Sequence, residues 1–291
     1  MTNSQALTIN GTYFSNGQFS TAFDITFNGT TNCGGSINAS AGTVIYANAN
    51  PNVITGTYYN LTISATVTFA TLCDIITVNR NLAVNGTATL YAGYQITGNN
   101  SGGTFTMAAG TTLRLGNTGS ATAIAFPTNY ATGNIILNST STVIYQSNGN
   151  QTISATPVYG NLSTATSGSK ILANNITVNG NILIGSGSIL DASSGNNFTI
   201  TLYGNWNHQG TFEERQGTVI FAGANTQTIT SAFSPEDFYN ITVNKTGGVV
   251  QPINDAQDVR AFNGGSLYIQ QGTYETNGSD LTVTGSTTIT G

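Results

Sequence analysis

The sequence predicts an all-β fold: a parallel β-helix (β-solenoid) of stacked irregular coils, with tandem antiparallel β-sandwich domains as the alternative. Three observations carry the prediction. An internal repeat runs through the chain, its conserved pieces alternate apolar with polar residues, and its polarity is supplied by uncharged side chains. Charged residues make up 6 % of the 291 residues against 38 % hydrophobic, whereas an ordinary soluble domain is about 25 % charged. With that apolar content the chain has material for a core and does not read as disordered.

The repeat decides the architecture. Thr43-Val44-Ile45-Tyr46, Thr142-Val143-Ile144-Tyr145 and Thr218-Val219-Ile220-Phe221 begin three copies, so the starts lie 99 and 76 residues apart and the copies differ by insertions. Gln151-Thr152-Ile153 and Gln227-Thr228-Ile229 follow, with a looser Asn52-Val53-Ile54 in the first copy. Next come Tyr59-Asn60-Leu61-Thr62, Tyr159-Gly160-Asn161-Leu162-Ser163 and Tyr239-Asn240-Ile241-Thr242. Ile76-Thr77-Val78-Asn79 then matches Ile176-Thr177-Val178-Asn179, and a strand-like segment such as Phe198-Thr199-Ile200-Thr201-Leu202 closes each copy. The alternation has the period of two expected of half-buried strands. Asn-Gly, Gly-Asn and Ser-Gly pairs between them mark turns. Strand signals recur about every 16 to 18 residues (Thr43, Tyr59, Thr77), a distance suited to one coil whose outward Thr and Asn form ladders on its neighbours.

The first strand signals, Leu7-Thr8-Ile9 and Ile25-Thr26-Phe27, match the middle and end of a copy, and Thr287-Thr288-Ile289 resembles a strand with nothing after it. Residues 1–291 are therefore read as a single elongated solenoid segment excised from a longer chain.

Composition excludes several classes. The formal net charge is -5 and the six Lys and Arg stand singly, so there is no cationic cluster for a phosphate backbone. No apolar run reaches the roughly 20 residues of a membrane span. Cys33 and Cys73 are either one disulfide or two separate thiols, and are too few for a cysteine-based metal site.

The pattern Gly217-Thr218-Val219-Ile220-Phe221, Gln227-Thr228-Ile229-Thr230, Phe238-Tyr239-Asn240-Ile241-Thr242-Val243 resembles the large repetitive β-solenoid surface adhesins of gliding, type IX-secreting bacteria. Gly204-Asn205-Trp206-Asn207 is in the same style. The resemblance is one of repeat character. It implies an extracellular, cell-surface or filament role, with secretion signals elsewhere in the parent protein.

The residues give little to catalysis, and no enzyme is expected. Glu213-Glu214 and Glu236-Asp237 are the adjacent acid pairs. Neighbours on a strand face opposite ways, so both pairs read as solvated turn residues. His208 is the single histidine, which leaves no second imidazole for a zinc site and reads as a turn residue. Trp206 fills a core or groove position, or else stacks on a sugar ring with nearby Tyr203; these two are the candidate ligand-binding residues. Asp255 and Asp258 match no spaced-Asp calcium loop, so neither calcium nor any other cofactor is expected. Thr-x-Thr segments, among them Thr104-Phe105-Thr106 and Thr228-Ile229-Thr230, leave an ice-binding face as a further alternative, although strand propensity alone produces them. Asn-x-Ser/Thr triplets at Asn60, Asn161 and Asn240 follow from composition. The expected function is non-catalytic, structural and adhesive. Surface glycans, abiotic surfaces and neighbouring segments of the same long chain are the expected partners, and a carbohydrate-binding module is the alternative.

Overall fold

Alternating β-branched sequence becomes, in the computed structural model, a β-solenoid of parallel strands; residues 5–99 and 102–290 are described. Every described strand pairing is parallel, as in Ile176 to Ile200 and Val219 to Ile241, which removes the antiparallel sandwich alternative. The one helix among the described residues is a 3-10 turn at Thr132–Asn134, and no helix is long and apolar enough to cross a membrane. The chain divides into two compact units, Met1–Gln146 and Ser147–Gly291.

In the first unit each coil contributes strands to three ladders. One runs through Leu7–Ile9, Ile25–Phe27, Thr43–Tyr46, Asn60–Ile63, Leu82–Val84, Phe105–Met107 and Ile135–Leu137. Its register places Val44, Leu61, Leu82, Phe105 and Ile135 on one inward rank, so successive coils hold 17, 21, 23 and 30 residues. The sequence expectation of 16 to 18 fits the shortest coil only. Strands stay at three or four residues, and the turns absorb the surplus. Aromatic residues stack along the axis: Tyr13 on Phe27 at 5.3 Å and Phe27 on Tyr46 at 5.1 Å between ring centroids.

The second unit repeats the plan. Ile176–Val178, Thr199–Leu202, Thr218–Gly223 and the start of Asn240–Pro252 form one ladder, and Ile182–Ile184, Trp206–His208, Gln227–Ser231 and the end of Asn240–Pro252 form another. A third wall carries Ile189–Asp191 with Thr211–Glu213 and, further along the chain, Glu236–Phe238 with Val259–Ala261.

Asparagine ladders hold the corners. The Oδ1 of Asn161 accepts the backbone N–H of Asn181 (2.8 Å), Asn181 accepts that of Asn205 (2.8 Å), and Asn205 that of Thr228 (2.9 Å). Asn60, Asn81 and Thr104 continue the same pattern in the first unit. Corner amides lie outside the strand ladders and need an acceptor. Asparagine supplies one without charge, which explains the composition and accounts for the Asn-x-Ser/Thr triplets at Asn60 and Asn161. Close approach also selects glycine at Gly56, with φ +138°, where a Cβ would run into the Ile37 backbone.

Threonine-x-threonine segments do not stack on one another. Thr106 lies between Ala83 and Ile136, Thr230 beside Asn207, Thr282 beside Arg260, and Thr288 beside Tyr268. Single outward ranks do form, as at Thr57, Thr77 and Thr97, but the flat double rank that ice binding needs is not assembled from these segments among the described residues.

Candidate functional site

Trp206, His208 and Glu236 meet inside the second unit. Trp206 and His208 are two residues apart on one strand, so both point inward and Asn207 points out. On Glu236–Phe238 the inward residues are Glu236 and Phe238, and Asp237 faces outward. The Trp206 Nε1–H donates to Glu236 Oε1 at 2.7 Å, and His208 Nδ1 shares a 2.7 Å hydrogen bond with Glu236 Oε2. Phe212 and Phe238 hold the indole edge-on or tilted, with centroids 4.9 and 5.2 Å away, and Phe233 covers the imidazole at 5.1 Å.

Three sequence expectations are corrected here. Trp206 is fully buried, so its faces meet protein and it offers no sugar platform; the core reading of this residue holds. His208 lies on a strand with its ring inward, not in a turn. Glu236 is completely buried, not solvated. Such a carboxylate is legible only in three dimensions, because its two donors sit 28 and 30 residues away. Asp237, its neighbour, instead takes a two-point hydrogen bond from Arg260, both distances 2.7 Å. The adjacent acids therefore face apart and cannot work as an acid and base on one substrate.

A cleft of about 290 Å³ borders the cluster, with Phe212, Glu214, Phe233 and Asp237 on its walls beside His208 and Glu236. Burial pushes the Glu214 carboxyl up, aided by the charges of Asp237 and Glu213. The His208 Nε2 is buried with no hydrogen-bond partner among the described residues. A general base needs a path for its proton to a reacting group. The imidazole's one hydrogen bond goes to a carboxyl group sealed in the core, an arrangement suited to fixing the wall and not to turnover.

Tyr203 is 43 % exposed and packs against Gly223 of the next coil, where φ is +90° and a Cβ would touch the ring at 2.9 Å. It stands apart from the buried Trp206 cluster, so the paired platform is not assembled. Glu213 lies 3.6 Å from Arg215, whose main partner is Asp191 through two hydrogen bonds of 2.9 and 2.8 Å. That guanidinium holds the Asp191 carboxyl below its ordinary range. Asp258 accepts the Asp280 N–H at 2.9 Å, and Asp255 is an exposed turn residue. No group of three or more His, Cys, Asp or Glu gathers at one point among the described residues.

Two lysines that read as scattered surface charges are buried. Lys170 Nζ donates to the carbonyls of Ser147, Gly149 and Ser167 at 2.7 to 2.9 Å. Lys245 Nζ donates to the Ala222 and Asn225 carbonyls and to Gln227 Oε1. Each ammonium fills the corner that follows the opening strand of its copy, Thr142–Tyr145 or Thr218–Gly223, although the two lysines come from different strands. A turn whose carbonyls point inward needs donors, and an ammonium supplies three.

Burial draws the Lys170 pKa down to about 8. The unfolded side chain titrates near its ordinary 10.5, so between those values the unfolded chain holds more protons than the folded one. Stability contributed by this group therefore rises with pH through that window. Lys170→Met has no such titration. Urea unfolding of both proteins at pH 7.5 and 9.5 is expected to show wild type gaining on the variant at the higher pH; an unchanged difference would mean the ammonium is solvated.

Compared with known proteins, the chain matches no family model, no curated protein and no solved structure.

Proposed function

We propose that the chain is a non-catalytic structural and adhesive segment of a bacterial cell-surface or extracellular filament protein. The observation that carries this reading is the way charge is disposed of. Lys170, Lys245 and Glu236 are consumed by internal partners, Asp191 and Asp237 by guanidinium groups, and the corners are tied by neutral asparagines. What faces outward is a long series of short ladders rich in Thr, Asn and Ser. Such a surface suits many weak contacts repeated along a filament, where avidity replaces a strong single pocket. The Cys33–Cys73 disulfide supports a place outside the cytosol, since such bonds persist in oxidising compartments. Surface glycans, abiotic surfaces and adjoining segments of the same long chain are the partners of this reading.

Beads coated densely with the chain are expected to adhere to glycan-coated or bare surfaces roughly 10²–10⁴ times more strongly than the free chain binds. Release of reducing ends from a polysaccharide, or beads that adhere to nothing, would overturn the proposal.

A further inference from the structure

The longest coil of the first unit, the 30 residues from Phe105 to Ile135, carries an irregular segment, residues 116–131, between Thr112–Leu115 and the turn at Thr132–Asn134. Loops longer than about 12 to 15 residues without secondary structure are uncommon in compact folds and tend to be functional or disordered. This one is anchored. Thr128 pairs with Thr97 through the Thr128 N–H to the Ile96 carbonyl and the Gly98 N–H to the Thr128 carbonyl. The Ala125 N–H donates to Gln95 Oε1 at 3.2 Å. Phe126 and Tyr130 are buried against Phe105, with centroids 5.6 and 5.9 Å away.

Between this segment and the preceding corner lies a cavity of about 520 Å³, within the range of about 300 to 1,000 Å³ common for small-molecule sites. Ile75, Tyr94, Asn117, Ser120 and Thr122 are among its lining residues, and no charged side chain is. Tyr94 is 44 % and Ile75 56 % exposed. Asn117 Oδ1 accepts the Gly119 N–H at 2.8 Å; its Nδ2 makes no hydrogen bond among the described residues.

We propose that this cavity is a binding site for a short neutral oligosaccharide. A pyranose ring has an apolar face for the half-open Tyr94 ring and hydroxyls for the Asn117 Nδ2 and the Ser120 and Thr122 side chains. An anionic sugar would find no cation to pair with, and a cation no carboxylate. Because the loop is tied down by backbone bonds and two buried aromatics, little ordering cost falls on binding. The site rests on the adhesive reading and deepens it, by giving the repeated weak contact a place and a ligand class.

The test is titration of the intact chain with chitohexaose and cellohexaose, extended to an array of neutral glycans, with polygalacturonate as the anionic comparison. Binding of a neutral glycan is expected, weakened roughly tenfold by Tyr94→Ala and further by Asn117→Ala, and unaffected by Tyr203→Ala. Both Tyr94 and Tyr203 are surface positions, and unchanged thermal unfolding of each variant checks that the fold is intact. Three results would overturn the site: no neutral glycan bound anywhere on the array, preference for polygalacturonate, or binding lost in Tyr203→Ala and kept in Tyr94→Ala. Bead adhesion separates the two readings. Beads that still adhere after Tyr94→Ala with no glycan binding leave the adhesive function standing without this site. Glycan binding by free chain whose beads do not adhere leaves the site without that function.

Discussion

Glu236→Leu is expected to destabilise the protein by about 3–5 kcal/mol, the usual cost of removing one partner from a buried charged cluster. Leucine matches glutamate roughly in size, so packing changes little and the loss reports hydrogen bonding. The Trp206 Nε1–H loses its 2.7 Å acceptor and His208 Nδ1 its 2.7 Å partner, with Phe212, Phe233 and Phe238 leaving no water to replace them. Each orphaned polar group costs about 1–3 kcal/mol. Glu236→Gln keeps one carbonyl oxygen and should fall between wild type and leucine. Adding Trp206→Phe and His208→Leu to Glu236→Leu should recover much of the loss, because an apolar replacement of a whole buried polar cluster is often close to neutral. Trp206 is the chain's one tryptophan, so its fluorescence during urea unfolding reads the site directly. A loss under about 1 kcal/mol for Glu236→Leu would show that solvent reaches the carboxylate.

This cluster marks where sequence reading stops. The strands were legible because Ile176-Thr177-Val178 and its counterparts write burial into alternation, and the structure places Ile176 and Val178 inward with Thr177 out. The parallel stacking was legible because the copies keep their order. Coil length was not, since Phe105 and Ile135 share a register position only after the intervening loop has been placed. The charges were misread for one reason. A lysine in a strand usually keeps its head in water, and Ser169-Lys170-Ile171-Leu172 fits that habit by pattern. Burial of Lys170 depends on three carbonyls of corner turns, two of them more than 20 residues earlier. Glu236 likewise sits at an inward strand position that alternation with Phe238 does mark, but its acceptor role needs Trp206 and His208 on the facing wall. Trp206 and Tyr203 attracted notice as neighbours in sequence; the strand that follows Tyr203 turns the indole inward and leaves the phenol outside. The cavity beside Tyr94 gave no motif, because its walls come from two corners and an anchored loop.

Reduction of the Cys33–Cys73 disulfide should cost about 4 kcal/mol, the chain-entropy value for a 40-residue separation. The geometry explains how residues two coils apart are joined. Thr31 and Asn52 bond to one another from neighbouring coils, and Ile37 aligns with Gly56. Between these fixed points the earlier coil has Asn32, Cys33, Gly34, Gly35 and Ser36, and the later coil only Val53, Ile54 and Thr55. The two surplus residues let the earlier turn arch past Ile54, bringing the Cys33 Cα within 5.2 Å of Cys73, close to one strand spacing where stacking alone would give two. Beneath the arch the short corner is bonded from the core: the Ile54 N–H donates to the Tyr46 hydroxyl, and the Tyr58 hydroxyl donates to the Ile54 carbonyl. With its proton so used, Tyr58 accepts from Tyr46 at 3.0 Å. Because that network does not depend on the bridge, reduction should loosen the Asn32–Gly35 turn while Tyr46 and Tyr58 stay packed in the folded state. Urea unfolding with and without reductant measures the energy, and hydrogen exchange locates it, with faster exchange expected at the turn and continued protection of Ile54. Free thiols in non-reducing mass mapping, or a midpoint indifferent to reductant, would remove both the bond and its support for an extracellular setting.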